Sequence, residues 1–124
     1  MRDIKFRAWD KFNKNVCKVK EIDFERKTVT ALYRNLLTNT YDFDEVELMQ
    51  YTGLKDKSDK EIYKGDICVD ARGFQFVVTW DADNSRFLGR GIGKHKEYIR
   101  YVGQEPAVTV IGNKYENPEL LKVE

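Results

Sequence analysis

The stretch Tyr51-Thr-Gly-Leu-Lys-Asp-Lys-Ser-Asp-Lys-Glu-Ile-Tyr-Lys-Gly-Asp-Ile67 decides the fold of this chain, because it combines turn-forming residues, a charged loop and two tyrosines. Gly53 and Gly65 can adopt backbone angles that other residues avoid. The carboxylates of Asp56-Lys-Ser-Asp59 can accept hydrogen bonds from the amides of their own turn. This pattern predicts a rigid structural loop. A ligand-contacting loop is the alternative, since short charged loops on a rigid scaffold often carry binding.

The second half of this central block has the form of a strand entry. Tyr63-Lys-Gly-Asp-Ile67 resembles the start of small SH3-like barrels, where a Gly-Asp pair turns the chain into the first barrel strand. This likeness concerns the fold and carries no function. The residues that we expect to define the shape of the block are Tyr51, Gly53, Asp56, Tyr63, Gly65 and Asp66.

Alternating apolar and polar residues predict a β-strand before the central block, and β-branched and aromatic residues predict another at residues 28–33. In all, the predicted strands cover residues 4–9, 16–24, 28–33, 67–69, 74–80, 86–88, 97–102 and 107–111. Residues 35–44 show no clear period, and residues 45–51 fit either a strand or one helical turn. Asn117-Pro-Glu is typical of a helix start, with Asn as the N-cap and Pro at the first helical position.

These elements predict a mainly β fold with a short C-terminal helical turn. We expect one domain over residues 1–124, built as a small barrel or sandwich, with SH3-like-barrel character around residues 60–111. The side chains predicted to be mostly buried are Phe6, Phe76, Val78, Trp80, Val110 and Ile111, with Trp9 and Tyr51 at least partly buried.

Composition and charge set limits on the class of protein. The chain has 124 residues, of which 41% are hydrophobic and 35% charged, so it has enough apolar material for a globular core. Its net charge of +1 creates no global field toward nucleic acid or membranes. The charged N-terminus differs from a signal peptide, and a cytoplasmic location is predicted. Cys17 and Cys68 lie far apart and are expected to be reduced, buried thiols.

The residues that could carry chemistry do not form a catalytic pattern. His95 is the only histidine, and its neighbours Lys94 and Lys96 favour a solvated basic residue. Asp81-Ala-Asp-Asn-Ser85 begins like a calcium loop but lacks the glycine and glutamate required later, so a hairpin turn is predicted. Gly89-Arg-Gly-Ile-Gly93 lacks the Lys-Ser/Thr of a phosphate-binding loop. We therefore predict no catalytic residue, no cofactor and no metal site.

Charge is distributed unevenly along the chain. Residues 86–101 combine basic and aromatic side chains, a pattern that suits phosphate contacts and base stacking. The candidate contact residues for nucleic acid or a partner are Arg86, Arg90, Lys94, Lys96, Tyr98, Arg100 and Tyr101. The segment 42–47 is acidic. Both segments can be solvated faces, they can pair with each other within or between chains, or the basic one can bind nucleic acid.

Three segments of the chain together resemble the YopX family of phage and prophage proteins. The first is Ile4-Lys-Phe-Arg-Ala-Trp-Asp10 near the start. The second is Leu48-Met-Gln-Tyr-Thr-Gly-Leu-Lys-Asp56, which continues through Lys60-Glu-Ile-Tyr-Lys-Gly-Asp-Ile67. The third is Val110-Ile-Gly-Asn-Lys-Tyr-Glu-Asn-Pro-Glu-Leu120. The resemblance implies a mainly β fold encoded by phage DNA in a bacterial host cell. It implies no established activity.

Function is therefore predicted only by class. The leading prediction is a non-enzymatic binding or assembly module of a phage or prophage that acts through protein–protein contacts, because small β domains associate through strand edges and exposed aromatics. The expected partner is an unidentified protein, with self-association into a homo-oligomer as one option, and no membrane is involved. The alternative is a nucleic-acid-binding accessory protein using residues 86–101. An enzyme built on carboxylates ranks third.

Overall fold

The computed structural model describes residues 3–34, 36–102 and 107–122, with the backbone alone for Tyr101. It divides the chain into two compact units, Met1–Tyr51 and Thr52–Glu124, which we call the N-terminal unit and the C-terminal unit. The described residues form eleven β-strands and three short 3-10 helices, so the predicted mainly β fold is confirmed. The single domain over residues 1–124 stays a prediction.

The N-terminal unit is an antiparallel sheet. Its strands are β1 (Phe6–Asp10), β2 (Asn15–Asp23), β3 (Thr28–Tyr33), β4 (Leu37–Asp42) and the first part of β5 (Val46–Lys55). They lie side by side in the order β4-β3-β2-β1-β5, in which β1 to β4 form consecutive hairpins and β5 returns to pair with β1. Asp10 and Asp23 stabilise two of the turns, since the Oδ1 atom of each accepts backbone N–H groups two and three residues ahead. Residues 45–51, which the sequence left open, belong to strand β5.

One face of this sheet carries the core of the N-terminal unit. Its buried members are Ala8, Cys17, Val29, Ala31, Tyr41 and Val46. The partly buried side chains of Val19, Tyr33, Phe43 and Leu48 pack against them. The strands predicted at residues 16–24 and 28–33 are confirmed as β2 and β3, and their buried residues lie on this face. Trp9 is 8% exposed, which confirms its predicted burial.

The C-terminal unit has its own antiparallel sheet. The strands of this unit are β6 (Glu61–Tyr63), β7 (Asp66–Asp70), β8 (Gln75–Asp81), β9 (Arg86–Gly91), β10 (Ile99–Tyr101) and β11 (Val108–Asn113). Five of them form the sheet, in the order β10-β9-β8-β7-β11, whereas β6 pairs with β5. The predicted hairpin at 67–80 is confirmed by the β7–β8 pairing, and the C-terminal helical turn by a 3-10 helix at Pro118–Leu121.

The SH3-like barrel predicted around residues 60–111 is wrong in one respect, because the sheet does not close. Among the described residues, the end strands β10 and β11 pair only with β9 and β7. The outer edge of β11 is taken by the loop after β5 instead: Lys57 N–H donates to Val108 O at 3.0 Å. Because this loop already bonds the outer edge of β11, no further strand can pair there and close the barrel.

The core of the C-terminal unit confirms half of the predicted set. Phe76 and Val78 are each 1% exposed and Val110 is 9% exposed, within a cluster that includes Ile62, Cys68 and Val108. Two predictions were wrong. Trp80 is 44% exposed because it lies where β8 ends, and its ring packs edge-to-face on Phe87 there.

Ile111 is the second wrong prediction, with 40% of its surface exposed. Adjacent strand residues point to opposite faces, so Ile111 and its neighbour Val110 could not both enter the same core. A bulge between Val110 and Gly112 then shifts the register of β11 against β7. In the first strand, Phe6 is only half-buried, whereas Tyr51 is 6% exposed as predicted.

Candidate functional site

The outermost strand of the N-terminal sheet, β4, has an exposed edge. Four successive residues at its start, Leu37 to Thr40, are exposed, and only Tyr41 turns into the core. Leu36 in the preceding turn and Leu37 are 81% and 64% exposed. The strand therefore presents apolar and uncharged polar side chains to solvent along most of its length.

The pairing of β4 with β3 determines which backbone groups face outward. Phe43 N–H donates to Lys27 O at 3.0 Å, in the same register that pairs Val29 with Tyr41 and Ala31 with Asn39. In an antiparallel pair the bonded residues alternate. The N–H and C=O groups of Thr38 and Thr40 therefore point away from β3. Among the described residues, no hydrogen bond reaches them.

The two ends of β4 carry opposite charge. The turn before it contains the exposed Arg34, whose guanidinium lies 5.2 Å from the centre of the Tyr33 ring. The strand ends at Asp42, followed by Asp44 and Glu45 in a 3-10 helix. The Asp42 N–H donates to Glu45 Oε1 at 2.7 Å, so this last outward amide of the strand is already engaged.

The edge of β11 in the C-terminal unit is covered by the central block. Asp56 is 7% exposed, and its Oδ2 accepts the Val110 N–H at 3.0 Å. Its Oδ1 accepts the N–H groups of Ser58 and Lys60 at 2.8 and 2.9 Å. Burial alone raises the pKa of this carboxyl, but these three amides outweigh burial and hold it below its usual value. One carboxylate thus shapes the loop and attaches it to the strand.

The other block residues also have structural positions. Gly53 and Gly65 adopt φ of 88° and 93°, which lie in the left-handed region that favours glycine. The Gly65 N–H donates to Val78 O, and Asp66 Oδ2 accepts the Tyr63 N–H at 2.8 Å. The structural loop predicted here fits this geometry. Tyr51 belongs to the N-terminal unit, whereas the rest of the set lies in the C-terminal unit.

The predicted contact residues of segment 86–101 do not share one surface. Arg90, Lys94 and Lys96 are exposed, and Arg86 is half-exposed and donates to Asp81 Oδ2 at 3.1 Å. Arg100 is 6% exposed, and its guanidinium lies 5.2 Å from the Phe76 ring centre. Arg100 pairs with Gly89, the neighbour of Arg90, so the two arginines point to opposite faces. The side chain of Tyr101 lies outside the described residues.

Tyr98 and Arg100 instead surround the buried carboxylate of Asp70. Asp70 Oδ2 accepts Arg72 Nη2 at 3.1 Å and the Tyr98 hydroxyl at 3.0 Å, and Arg100 Nη1 lies 3.8 Å away. Burial raises the pKa of Asp70, but the hydrogen bonds from Phe74 N–H, Tyr98 and Arg72 lower it below its usual value. Burial and the neighbouring carboxylate raise the pKa of Tyr98. This network stabilises the β7–β8 turn.

His95 is not the freely solvated residue that the sequence predicted. It lies in a 3-10 helix, Gly93–His95, and its ring stacks on Phe74 with 4.8 Å between centroids. Its Nδ1 accepts the Gln75 N–H at 3.3 Å. The half-buried imidazole therefore serves to pack this loop on β8.

The remaining candidates have local roles. Asp81 accepts Asn84 Nδ2 at 3.0 Å within the β8–β9 turn, as expected for a hairpin. In the acidic segment, Glu47 forms a 3.3 Å ion pair with Lys11 of the same unit. In the described ranges, no group of three or more His, Cys, Asp or Glu side chains is placed to hold a metal ion. No helix in these ranges is long and apolar enough to span a membrane.

Both cysteines are free and buried, as predicted. Burial raises the pKa of the Cys17 thiol, which lies 3.1 Å from Asn15 Oδ1. Burial also raises the pKa of Cys68 to about 12. Both sulfurs are thus held as neutral thiols, and neither has the lowered pKa of a nucleophile.

Comparison with known proteins identifies the family. The family described as YopX protein matches residues 5–122, nearly the whole chain. The chain belongs to the YopX family. The resemblance drawn from the three sequence segments is thereby confirmed. No curated protein matches the chain.

Two solved structures resemble this YopX-family chain over almost its full length. Protein EF1440 from Enterococcus faecalis is 26% identical, with a TM-score of 0.68, and the match covers 98% of this chain and 100% of that one. Protein yopX from Bacillus subtilis is 21% identical, with a TM-score of 0.57 and the same coverage. The second likeness concerns the fold alone. Neither description names an activity, a ligand or a partner.

The β4 edge is the feature that sequence reasoning missed in this YopX-family chain. Residues 35–44 had no clear period because most of β4 is exposed on both faces, so hydrophobic alternation is absent. One signal was available. Leu36-Leu-Thr-Asn-Thr40 combines two leucines with β-branched threonines and carries no charge, yet shows no alternation that would bury one face.

Proposed function

We propose that this YopX-family chain is a non-enzymatic protein-binding or assembly module that acts by adding a strand to the edge of β4. The observation that carries the proposal is the outward pair Thr38 and Thr40, in an exposed edge strand that carries no charge before Asp42. Edge strands of this kind are templates for pairing with another chain. We place this activity in the cytoplasm of a bacterial host, as that of a phage or prophage accessory protein.

The composition of β4 supports this role. Sheet edges are usually protected by lysines, prolines, bulges or covering loops. β4 has no lysine or proline, and its pairing with β3 continues without a register shift over Thr28–Tyr33. The nearby leucines, Leu36 and Leu37, offer apolar surface that a partner would bury. Main-chain hydrogen bonds would supply affinity, and these side chains would supply specificity.

Nucleic-acid binding by residues 86–101 has less support. Of the candidate contact residues with described side chains, Arg100 is buried beside Asp70 and Arg86 is paired with Asp81. The exposed Arg90, Lys94 and Lys96 leave at most three cations for phosphate contacts. Because affinity for nucleic acid depends on the number of phosphates neutralised, three contacts support only weak, salt-sensitive binding.

The proposed function is tested by affinity capture from lysates of induced or infected bacteria, treated with nuclease. Three baits are compared: the native chain, Thr38→Ala and Thr38→Pro. Proline removes the outward N–H that strand addition requires, whereas alanine retains it. We expect the same protein on the native and alanine baits, with at least a tenfold loss on the proline bait.

The melting temperature and circular dichroism spectrum of each bait check that the fold is intact. A partner held equally by Thr38→Pro would show that binding does not use the β4 backbone. Capture that disappears after nuclease treatment would favour the nucleic-acid alternative instead.

A further inference from the structure

The geometry of β4 indicates which partner it fits best, on the basis of the strand-addition function proposed above. We infer that β4 pairs with β4 of a second copy of this chain, antiparallel, about a two-fold axis at Asn39. A two-fold interface uses the same surface on both copies, so it requires a self-complementary edge. The backbone, the side chains and the charges of β4 each meet this requirement.

The backbone groups match in one register. With the axis at Asn39, Thr38 of each copy lies opposite Thr40 of the other. Each such pair exchanges two hydrogen bonds, so the interface contains about four in total. All of them use the N–H and C=O groups that point away from β3. An axis at Thr40 would require the Asp42 N–H, which already donates to Glu45.

The side chains match in the same register. Leu37 lies opposite Tyr41 of the second copy, which would cover part of a leucine that is 64% exposed in the single chain. Asp42 lies opposite Leu36, so no carboxylate faces a carboxylate. On the other face, the contact between the Thr30 and Thr40 hydroxyls, 3.2 Å apart, would continue into Thr38 of the second copy.

The charges favour antiparallel over parallel pairing. Antiparallel strands bring the turn that carries Arg34 beside the acidic end that carries Asp42 and Asp44. Parallel strands would place Arg34 beside Arg34 and Asp42 beside Asp42. Opposite charges across neighbouring strands stabilise, and like charges destabilise. An unrelated extended peptide would obtain the backbone bonds but would need this charge pattern by coincidence.

Sedimentation velocity of the purified chain over a wide range of concentrations tests whether the pairing occurs. We expect reversible dimers of the native chain, and Thr38→Ala should dimerise within about threefold of it, as a surface substitution. Thr38→Pro should raise the dissociation constant at least tenfold, because the symmetric interface loses two hydrogen bonds at once.

Cysteine cross-linking tests the register, and it remains informative if the proline variant does not fold. Asn39→Cys places two thiols in a directly opposed, non-hydrogen-bonded pair with Cα atoms about 4.5 Å apart, which a disulfide can bridge. The matched control, Thr40→Cys, is also at an exposed position but places its Cα atoms beyond about 7 Å across the axis. Mild oxidation should give covalent dimers at least tenfold faster for Asn39→Cys. The native cysteines are buried and contribute little background.

Each outcome decides for or against the second copy. Dimers that need the Thr38 N–H and cross-link at Asn39 support it. A monomer at all concentrations, a dimer indifferent to Thr38→Pro, or equal cross-linking at both positions would overturn it. A monomer that still captures another protein through the Thr38 backbone would overturn only the second-copy inference. The proposed function would then stand, with a different occupant of the same edge.

Discussion

The outer strands β4 and β11 are built in opposite ways. β11, in the C-terminal unit, has its outward amide at Val110 bound by the carboxylate of Asp56, and its outward carbonyl at Val108 bound by the Lys57 N–H. β4, in the N-terminal unit, leaves Thr38 and Thr40 facing outward. Of these two edges, the chain therefore covers one and leaves the other open. The open edge of β4 is available for pairing with another chain, and it carries the risk of aggregation that the covered edge of β11 avoids.

The largest effect is expected from removing the group that covers β11. Asp56→Ala leaves the buried Val110 amide and the Ser58 and Lys60 amides of the loop without their acceptor, and we expect a loss of about 3 kcal/mol in the free energy of unfolding. Urea denaturation measures it. The control is Asp59→Ala in the same loop, whose exposed ion pair with Lys55 should contribute less than about 1 kcal/mol. Equal effects would mean that Asp56 does not hold the loop to β11.

Proline at matching outward positions compares the two edges directly. Val110→Pro removes the N–H that Asp56 accepts, and we expect it to cost about 2–3 kcal/mol more than Val110→Ala, which accounts for the lost side chain. Thr38→Pro removes an amide with no bond inside the chain and should cost less than about 1 kcal/mol. Both costs come from thermal or urea unfolding of dilute protein. Similar losses of stability for Val110→Pro and Thr38→Pro would show that the two edges do not differ in how their outward amides are bonded.

The turn that leads into β7 gives an intermediate effect. Gly65 has a φ of 93°, where a β-branched side chain is strained, so Gly65→Val should cost about 2 kcal/mol. Lys64→Val, one residue earlier, should cost less than about 0.5 kcal/mol as a surface change. Equal tolerance in a thermal melt would show that the Gly-Asp pair is incidental to the fold.

Acid is expected to weaken the covered edge through Asp56. The folded pKa of this carboxyl lies below its unfolded value, so its contribution is complete above the unfolded pKa of about 3.9 and is lost as pH falls through the folded pKa. Asp56→Asn removes this contribution. The difference in stability between native and variant chains should therefore shrink between pH 5 and pH 2. A constant difference across that range would contradict the role of the charge.

The sequence predicted those parts of the molecule where local chemistry dominates. Gly65 needs its left-handed angle whatever surrounds it, and the hairpin through Gly73 follows from its own turn. Burial at strand ends was harder to predict. The burial of Trp80 depends on how far the core extends along β8, and that of Ile111 depends on a bulge that has no sequence pattern. The candidate site could not be predicted from alternation, since alternation reports burial and β4 is defined by exposure. Tyr98 and Arg100 are distant from Asp70 in the sequence and come close to it only in the folded chain, so no local pattern predicts this network.

The two buried sulfhydryls provide built-in reporters. One lies in the core of each unit: Cys17 beside Tyr41 and Cys68 within the Phe76 cluster. Because only the thiolate reacts, and burial suppresses it at both sites, an alkylating reagent modifies each sulfur only when its surroundings open. The two labelling rates, separated by peptide mass spectrometry, therefore give two opening free energies from one unmodified sample. Equal opening free energies under all conditions would mean that the whole chain unfolds as one cooperative unit. Different values would mean that the N-terminal and C-terminal units open separately.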